Sequence, residues 1–404
     1  MKLLTFVGPN TYNQTTYVWD VHRYETEFIA EALASWLPFD KVVVFLTEKA
    51  KAGTNWTQLS QRLQEWDVQE VPIPDGKTEE EVWEIFDRVI ASVEHGDEIA
   101  IDVTHAFRSL PMVLVAVAAF LRTVKQVQVK HIFYGCYTRE EPESPVIDLN
   151  LLLELLDWME ATRRFKETGD ARWIGEKLRS TQDRLRREQK GEPRELKKAG
   201  ERLITLSQAL QLARPIEAAE AARQLRNLLP TASSEIDTWA KPFSLLIEDI
   251  KAQVEQLAYE NTDTLDSQHL EKQLQFIEQL QRYGLVTQAT QMAREWVVNW
   301  AIWYSKGKVD LPSGDWLDKD VRDEIERVLN SGFADKQEPK PAEWLKNCEV
   351  TSILRKLWPA LPDLRNDFAH CGMRKQPRRA EDLDNQAQRL LPHLRDLWQK
   401  SLAD

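Results

Sequence analysis

Apolar residues recur at two periods along this chain. In the first 150 or so residues short apolar runs alternate with stretches of helical spacing. KLLTFV (2–7), KVVVFLT (41–47), VQEVPIP (68–74), DEIAIDVT (97–104) and VKHIFYGCY (129–137) predict strands, and KVVVFLT, apolar without alternation, predicts one buried on both faces. Between them ETEFIAEALASWL (25–37), NWTQLSQRLQEW (55–66), TEEEVWEIFDRVIASV (78–93) and FRSLPMVLVAVAAFLRTV (107–124) predict helices, the third opening on Thr78 and Glu81 in capping-box spacing. This rhythm predicts an α/β Rossmann-like domain, a parallel sheet with helices on both faces, whose ligands bind beyond the carboxyl ends of the strands. From about residue 150 the strand signals stop. LLLELLDWMEATRRF (151–165), long amphipathic patterns over 203–305 and the tail AEDLDNQAQRLLPHLRDLW predict an all-α region. Residues 306–345, richer in Gly, Pro, Asp and Lys, read as an insertion holding one helix, DWLDKDVRDEIERVL. The expected division is 1–165, 166–270 and 271–404.

Composition narrows this picture. At 42% hydrophobic and 29% charged, the 404 residues suit a globular protein of two or three domains. The longest apolar run, LPMVLVAVAAFL (110–121), is too short to span a bilayer. The three cysteines, Cys136, Cys348 and Cys371, are scattered, which predicts a reducing, cytoplasmic setting without a disulfide framework or Cys-rich zinc site. A net charge of −12 disfavours a broad duplex-coating surface and leaves room for a local basic groove. Most of the fifteen Trp fall beside Leu and Ile at helical spacing and read as core anchors. The charged stretch 163–202 reads as a solvated helical face or an RNA-contacting surface.

Two loops carry candidate chemistry in the α/β region. VGPNTYNQTTY (7–17) follows the first strand and is rich in amides and hydroxyls, with neither a dinucleotide fingerprint nor a P-loop. In DVTHAFRSLP (102–111) a strand ends at Asp102 and Thr104, His105 takes the turn, and Arg108 and Ser109 start a helix with Pro111 in its first turn. Free N–H groups at a helix start favour an anion, and Arg108, Thr104 and Ser109 add donors suited to phosphate. The loop predicts a site for a phosphorylated or nucleotide-like ligand, or a turn that merely caps its helix.

The third motif is LRNDFAHCGM (364–373). Arg365 and His370 make an R-x-x-x-x-H spacing with Asn366 after the Arg. With Pro362 as first helical residue and Gly372 just past the end, 363–371 would be a short helix placing Asn366 and His370 on one face. Arg365 would point about 140° from His370, which would stand at the negative end of the helix dipole. Such a set offers a proton-transfer group and a cation suited to a phosphate, and no carboxylate–His cluster suggests a metal. MRKQPRR (373–379) adds a local basic patch. The other reading is a helix-end His with Asp363 or Asp367 paired to Arg365.

DVTHAFRSLPM, with FVGPNTYN, VVFLTE, IPDGKTEEEVWEIFD, FYGCY and LLELLDWMEATRRF, resembles the CARF domain of CRISPR-associated type III accessory ribonucleases, which pair a CARF sensor with a C-terminal HEPN nuclease. The resemblance covers about residues 1–170, and the C-terminal part through LRNDFAHCGM. It implies a homodimer that binds cyclic oligoadenylate through Gly8, Asn10, Thr104, His105, Arg108 and Ser109, with Ala106 standing where relatives often carry Gly. It implies a metal-independent cleavage of single-stranded RNA by Arg365, Asn366 and His370 at a composite site between two HEPN domains, with no cofactor beyond the activator and no membrane. MAREWVVNWAIW (292–303) would be the long helix beside the motif, with Arg294 and Glu295 in an ion pair. On this reading 1–165 is the CARF domain, 166–270 a helical middle region and 271–404 the HEPN domain. The competing expectations are a non-catalytic nucleotide-sensing regulator and slow cleavage of the cyclic ligand by Thr104 and His105.

Overall fold

A computed structural model describes residues 1–106, 110–334, 342–345, 348–373 and 375–403. They form two compact units, Met1–Asp157 and Trp158–Asp404.

The first unit is built on an eight-stranded sheet: β1 (Lys2–Val7), β2 (Thr15–Trp19), β3 (His22–Thr26), β4 (Lys41–Leu46), β5 (Asp67–Pro72), β6 (Glu98–Asp102), β7 (Gln128–Gly135) and β8 (Glu143–Asp148). Their order is β3-β2-β8-β7-β6-β1-β4-β5. The five strands expected from the apolar runs form the parallel stretch β7-β6-β1-β4-β5. The sheet as a whole is mixed, which corrects the expectation of a parallel one: β8 runs antiparallel to β7, and β2 and β3 form an antiparallel hairpin. These three strands carry weak signals for physical reasons. The edge strand β3 is largely exposed and needs no apolar alternation, and β8 contains Pro145, which argues against an interior strand. The hairpin also takes residues 15–17 of the expected loop and the first residues of the helix expected at 25.

Side chains alternate across the sheet and meet helices on both sides. The helices of this unit are α1 (Ile29–Trp36), α2 (Glu48–Lys51), α3 (Thr54–Arg62), α4 (Glu79–Ala91) and α5 (Leu110–Val124), and α6 (Asn150–Thr168) crosses the division. Leu3, Val7, Val42, Val44 and Leu46 pack with Ile29, Leu33 and Leu59 of α1 and α3. Leu4, Phe6, Val43 and Phe45 pack with Ile85 and Val89 of α4 and with Leu114 and Leu121 of α5. Thr78 caps α4 as expected, accepting from the Glu81 N–H at 3.3 Å, while the Glu81 carboxylate accepts from Lys77 N–H at 2.7 Å.

The second unit is helical: α7 (Arg172–Arg187), α8 (Leu196–Gln211), α9 (Pro215–Trp239), α10 (Lys241–Ser244), α11 (Ile247–Leu257), α12 (Ser267–Arg282), α13 (Val286–Ser305), α14 (Lys319–Leu329), α15 (Cys348–Ala369), α16 (Ala380–Gln388) and α17 (Leu390–Leu402). One core runs through it from Trp158 to Trp398. Tryptophans anchor it as expected, with their polar ends satisfied: Trp296 Nε1 donates to Leu270 O (2.9 Å), Trp300 Nε1 to Ser401 Oγ (2.8 Å) and Trp358 Nε1 to Asn330 Oδ1 (3.0 Å). Much of the charge over 163–202 is spent in local ion pairs, such as Arg163–Glu160 and Arg179–Glu176. No helix among the described residues is long and apolar enough to cross a membrane.

Candidate functional site

Strand order places the first site. From β1 the chain adds β4 and β5 on one side, then returns to lay β6 and β7 on the other. The carboxyl ends of β1 and β6 therefore flank a topological switch point, where the loops part and leave a crevice. Both loops singled out in the sequence emerge there.

Their described residues are knitted together. Asn55 of α3 donates to Gly8 O (3.0 Å) and Asn10 O (2.6 Å), fixing the loop after β1. Gly8 N–H donates to the Tyr12 hydroxyl at 2.6 Å. The Tyr12 ring stacks on His105, centroids 3.8 Å apart and planes 10° from parallel, which joins the loop after β1 to the loop after β6. Thr104 Oγ1 accepts from Gly135 N–H at 2.8 Å. Beneath them Asp102 is fully buried, accepting from Thr5 Oγ1 (2.7 Å) and Thr104 N–H (2.9 Å).

Burial sets the electrostatics. It lowers the His105 pKa to about 4, so the imidazole is neutral at pH 7, and its buried Nε2 has no partner among the described residues. It pushes the Tyr12 phenol up to about 12 and raises the Asp102 carboxyl from its ordinary value, against the lowering effect of its hydrogen bonds. The floor of the site thus pairs a neutral imidazole and phenol with a carboxyl whose charged form burial disfavours, a setting for a ligand that brings its own negative charge. Of the residues expected here, Gly8, Asn10, Thr104 and His105 are brought together, and Arg108 and Ser109 lie outside the described residues.

The second candidate site lies at the end of α15. This helix is longer than expected: Pro362 does not start it but sits inside a 22-residue helix, with Pro359 one turn earlier. Each proline deprives the carbonyl four residues back of its helical donor, and the helix persists because its apolar side, including Leu354, Leu357, Leu361 and Leu364, is fully buried. The helix ends at Ala369. His370 N–H still donates to Asn366 O at 3.0 Å, so these two residues do stand one turn apart on one face. Cys371 and Gly372 then take φ of +50° and +70°, turning the chain away. Arg365, Asn366 and His370 are all exposed, and no side-chain hydrogen bond or ion pair holds them among the described residues.

Within the basic run beyond, expected as a local basic patch, Arg378 is taken up by the protein itself. Arg378 reaches back to the helix, pairing with the buried Asp367, with Asp363 (2.9 Å) and with Gln386 Oε1 (3.1 Å). The carboxylates considered as partners for Arg365 are therefore held by Arg378. Arg294 and Glu295 form the expected structural pair (2.7 Å), extended to Glu326 and Arg322. Their helix α13 packs against α15. No set of three or more His, Cys, Asp and Glu side chains is gathered for a metal among the described residues.

Residues 2–137 match the CARF domain of the CRISPR system endoribonuclease Csx1. The first unit is Rossmann-like and of the CARF type. Residues 154–284 match the second domain of the CRISPR-associated protein MJ1674. Over 193 residues the chain is 29% identical to CRISPR-associated protein MJ1674 of Methanocaldococcus jannaschii, a match covering 46% of this chain and 28% of that protein. Among solved structures, Enterococcus italicus Csm6 bound to cyclic hexa-2′-fluoro-hexa-dAMP aligns with 100% of this chain and 94% of its own at 11% identity and a TM-score of 0.44, a likeness too loose to bear on function. Both matched ranges end before α15.

Two residues of the CARF site were not named from the sequence, and a third, Asp102, was named only as the end of its strand. Tyr12 was one polar residue among many in its loop. Asp102 carried a usable signal, a carboxylate closing an otherwise apolar strand. Asn55 carried none, because its role is to reach two carbonyls in a loop 45 residues away.

Proposed function

We propose that this chain is a CRISPR-associated endoribonuclease whose CARF unit senses a cyclic oligoadenylate and whose C-terminal helical region, of HEPN type, cleaves single-stranded RNA without a metal. The observation that carries the reading is the CARF match of residues 2–137 together with a crevice, at the switch point of that unit, whose two loops are knitted together. Gly8, Asn10, Thr104 and His105, with Arg108 and Ser109, receive the ligand, its phosphates supplying the charge the floor lacks. In the helical unit, Asn366 and His370 share an exposed face. There the 2′-OH of the RNA attacks its own phosphorus, the bond to the 5′ oxygen breaks, and a 2′,3′-cyclic phosphate and a 5′-OH remain. His370 moves the proton, Asn366 orients it, and an Arg365 offsets the charge gathering on the phosphate. Because Arg365 points about 140° from His370, the pair closes on one phosphate most readily when two copies contribute.

Dimerisation has its own support. Met112, Ala116, Phe120 and Val124 line one face of α5 at four-residue spacing and are exposed. Such a contiguous apolar stripe suits an isologous contact between two copies, and a two-fold ligand suits a two-fold pocket.

The test is labelled single-stranded RNA with and without cyclic tetra- or hexa-adenylate, for the wild type, His370→Ala and Arg108→Ala. Cleavage should need the ligand, survive a chelator and disappear in both variants. Ligand binding without cleavage under any condition leaves a non-catalytic sensor. Linear adenylates released by His370→Ala would show that the CARF site, with the neutral His105 as base, cleaves its own ligand.

A further inference from the structure

The helical unit contains a cavity of about 290 Å³ that the preceding reading does not use. It opens between the end of α6, α11 and the end of α12, far along the chain from both sites described above. Its lining is unusual for a gap between packed helices. Gln253 and Gln279, 7% and 4% exposed, stand where apolar residues would pack more cheaply. They form a chain of amides with Gln256: Gln253 Nε2 donates to Gln279 Oε1 at 3.4 Å, and Gln279 Nε2 donates to Gln256 Oε1 at 2.8 Å. Each amide carries two donors and an acceptor with two lone pairs, so this chain leaves most of its capacity open toward the cavity. No other side-chain hydrogen bond is made by these amides among the described residues.

One wall is aromatic and the rim is cationic. The Tyr283 ring is seated against Gly169, where an added Cβ would come within 2.4 Å of it and where φ is +68°, so a glycine there keeps the ring in place. Lys166 and Arg282 stand exposed at the mouth. Lys166 pairs with Asp249 at 3.0 Å, whereas Arg282 has no carboxylate partner among the described residues.

We propose that this cavity binds a single nucleotide, with the base edge read by Gln253, Gln279 and Gln256, its face against Tyr283, and its phosphate on Arg282 and Lys166. A volume near 300 Å³ is at the small end of ligand pockets and suits one nucleotide rather than a duplex or a peptide. A Gln amide offers a donor and an acceptor side by side, which matches the N6 and N7 of adenine. The aromatic wall accepts any base, and the guanidinium fork fits a phosphate. The site holds whether or not the chain cleaves RNA, and none of these residues belongs to the other two sites.

The nucleotide could be free or part of an RNA strand, and one set of titrations separates the two. Full-length protein is titrated by calorimetry with AMP, adenosine and inorganic phosphate, and with a short single-stranded RNA alone and in competition with AMP. Wild type is compared with Gln279→Leu, which replaces the central amide by an apolar group of similar size, and with the surface variant Arg282→Ala; circular dichroism confirms that both fold. AMP affinity should fall at least tenfold in Gln279→Leu, and Arg282→Ala should weaken AMP while leaving adenosine unchanged. RNA binding weakened by both variants, with AMP displacing the RNA poorly, assigns the site to a strand. The proposal is overturned if wild type binds neither AMP nor RNA, or if both folded variants bind these probes as wild type does.

Discussion

A single carboxylate shows how much of the CARF site rests on buried polarity. Asp102 has no exposed surface, yet it holds the Thr5 hydroxyl and the Thr104 N–H in place. Because burial raises its folded pKa above the unfolded value, the folded state keeps this proton longer as pH rises. Stability from this group is therefore present at acid pH and lost as pH rises through the folded pKa. Asp102→Asn cannot ionise. Its Oδ1 keeps the Thr104 bond and its amide donates to a rotated Thr5 hydroxyl. In urea unfolding between pH 5 and 8 it should gain on wild type as pH rises, by about 1–2 kcal/mol at the alkaline end. Asp102→Ala, which strands both partners, should lose about 1–3 kcal/mol. An Asn variant that falls behind wild type as pH rises would mean that the ionised form is the one the fold favours.

At the scale of elements, α15 decides whether the second motif can work. Pro359, Pro362 and the two positive-φ residues after Ala369 leave its last turn with fewer backbone constraints than an ordinary helix end. What holds it is Arg378, which ties Asp363 and Asp367 to the segment before α16. Losing Arg378 would take a guanidinium from the nearly buried Asp367 and from Asp363. Arg378→Ala should therefore cost about 2 kcal/mol, less than a fully buried pair because Arg378 is itself partly exposed. The neighbouring Arg379→Ala, with no such partner, should change stability by less than ~0.5 kcal/mol. If RNA cleavage is assayed alongside, Arg378→Ala should lose it although Arg378 never meets the substrate. Equal melting of the two variants would remove Arg378 as the support. The sequence pattern placed Asn366 and His370 on one helical face because that follows from spacing alone. It could not foresee Arg378, since an ion pair from beyond a turn depends on where the chain goes after Gly372.

For the whole molecule, legibility follows burial on both faces. The parallel strands β1, β4 and β6 are interior and largely buried, so their apolar runs gave them away, whereas β2, β3 and β8 lie toward one edge and had to be seen; β5, at the opposite edge and without a buried residue, was legible from its extended pattern alone. The same logic makes the α5 stripe informative. Leu114, Val117 and Leu121 explain the buried side of that helix, and Phe120 rests partly on Phe86 of α4, but it stays 41% exposed, with Met112 (79%) two turns before it and Val124 (55%) one turn after it on the same face. An amphipathic helix with a second apolar face is expected to bury it against something, and under the proposed function a second copy is the partner that would also complete a composite nuclease site. Met112→Asp together with Val124→Lys places charge at both ends of that face and leaves the Phe120–Phe86 contact in place. Light scattering should then report a dimer for wild type and a monomer for the variant. The cyclic ligand should bind at least tenfold more weakly, and RNA cleavage should vanish even at saturating ligand, while thermal unfolding shifts by only a few degrees. A charged double variant that stays dimeric and active would place the contact on another surface and leave the stripe without a role in assembly.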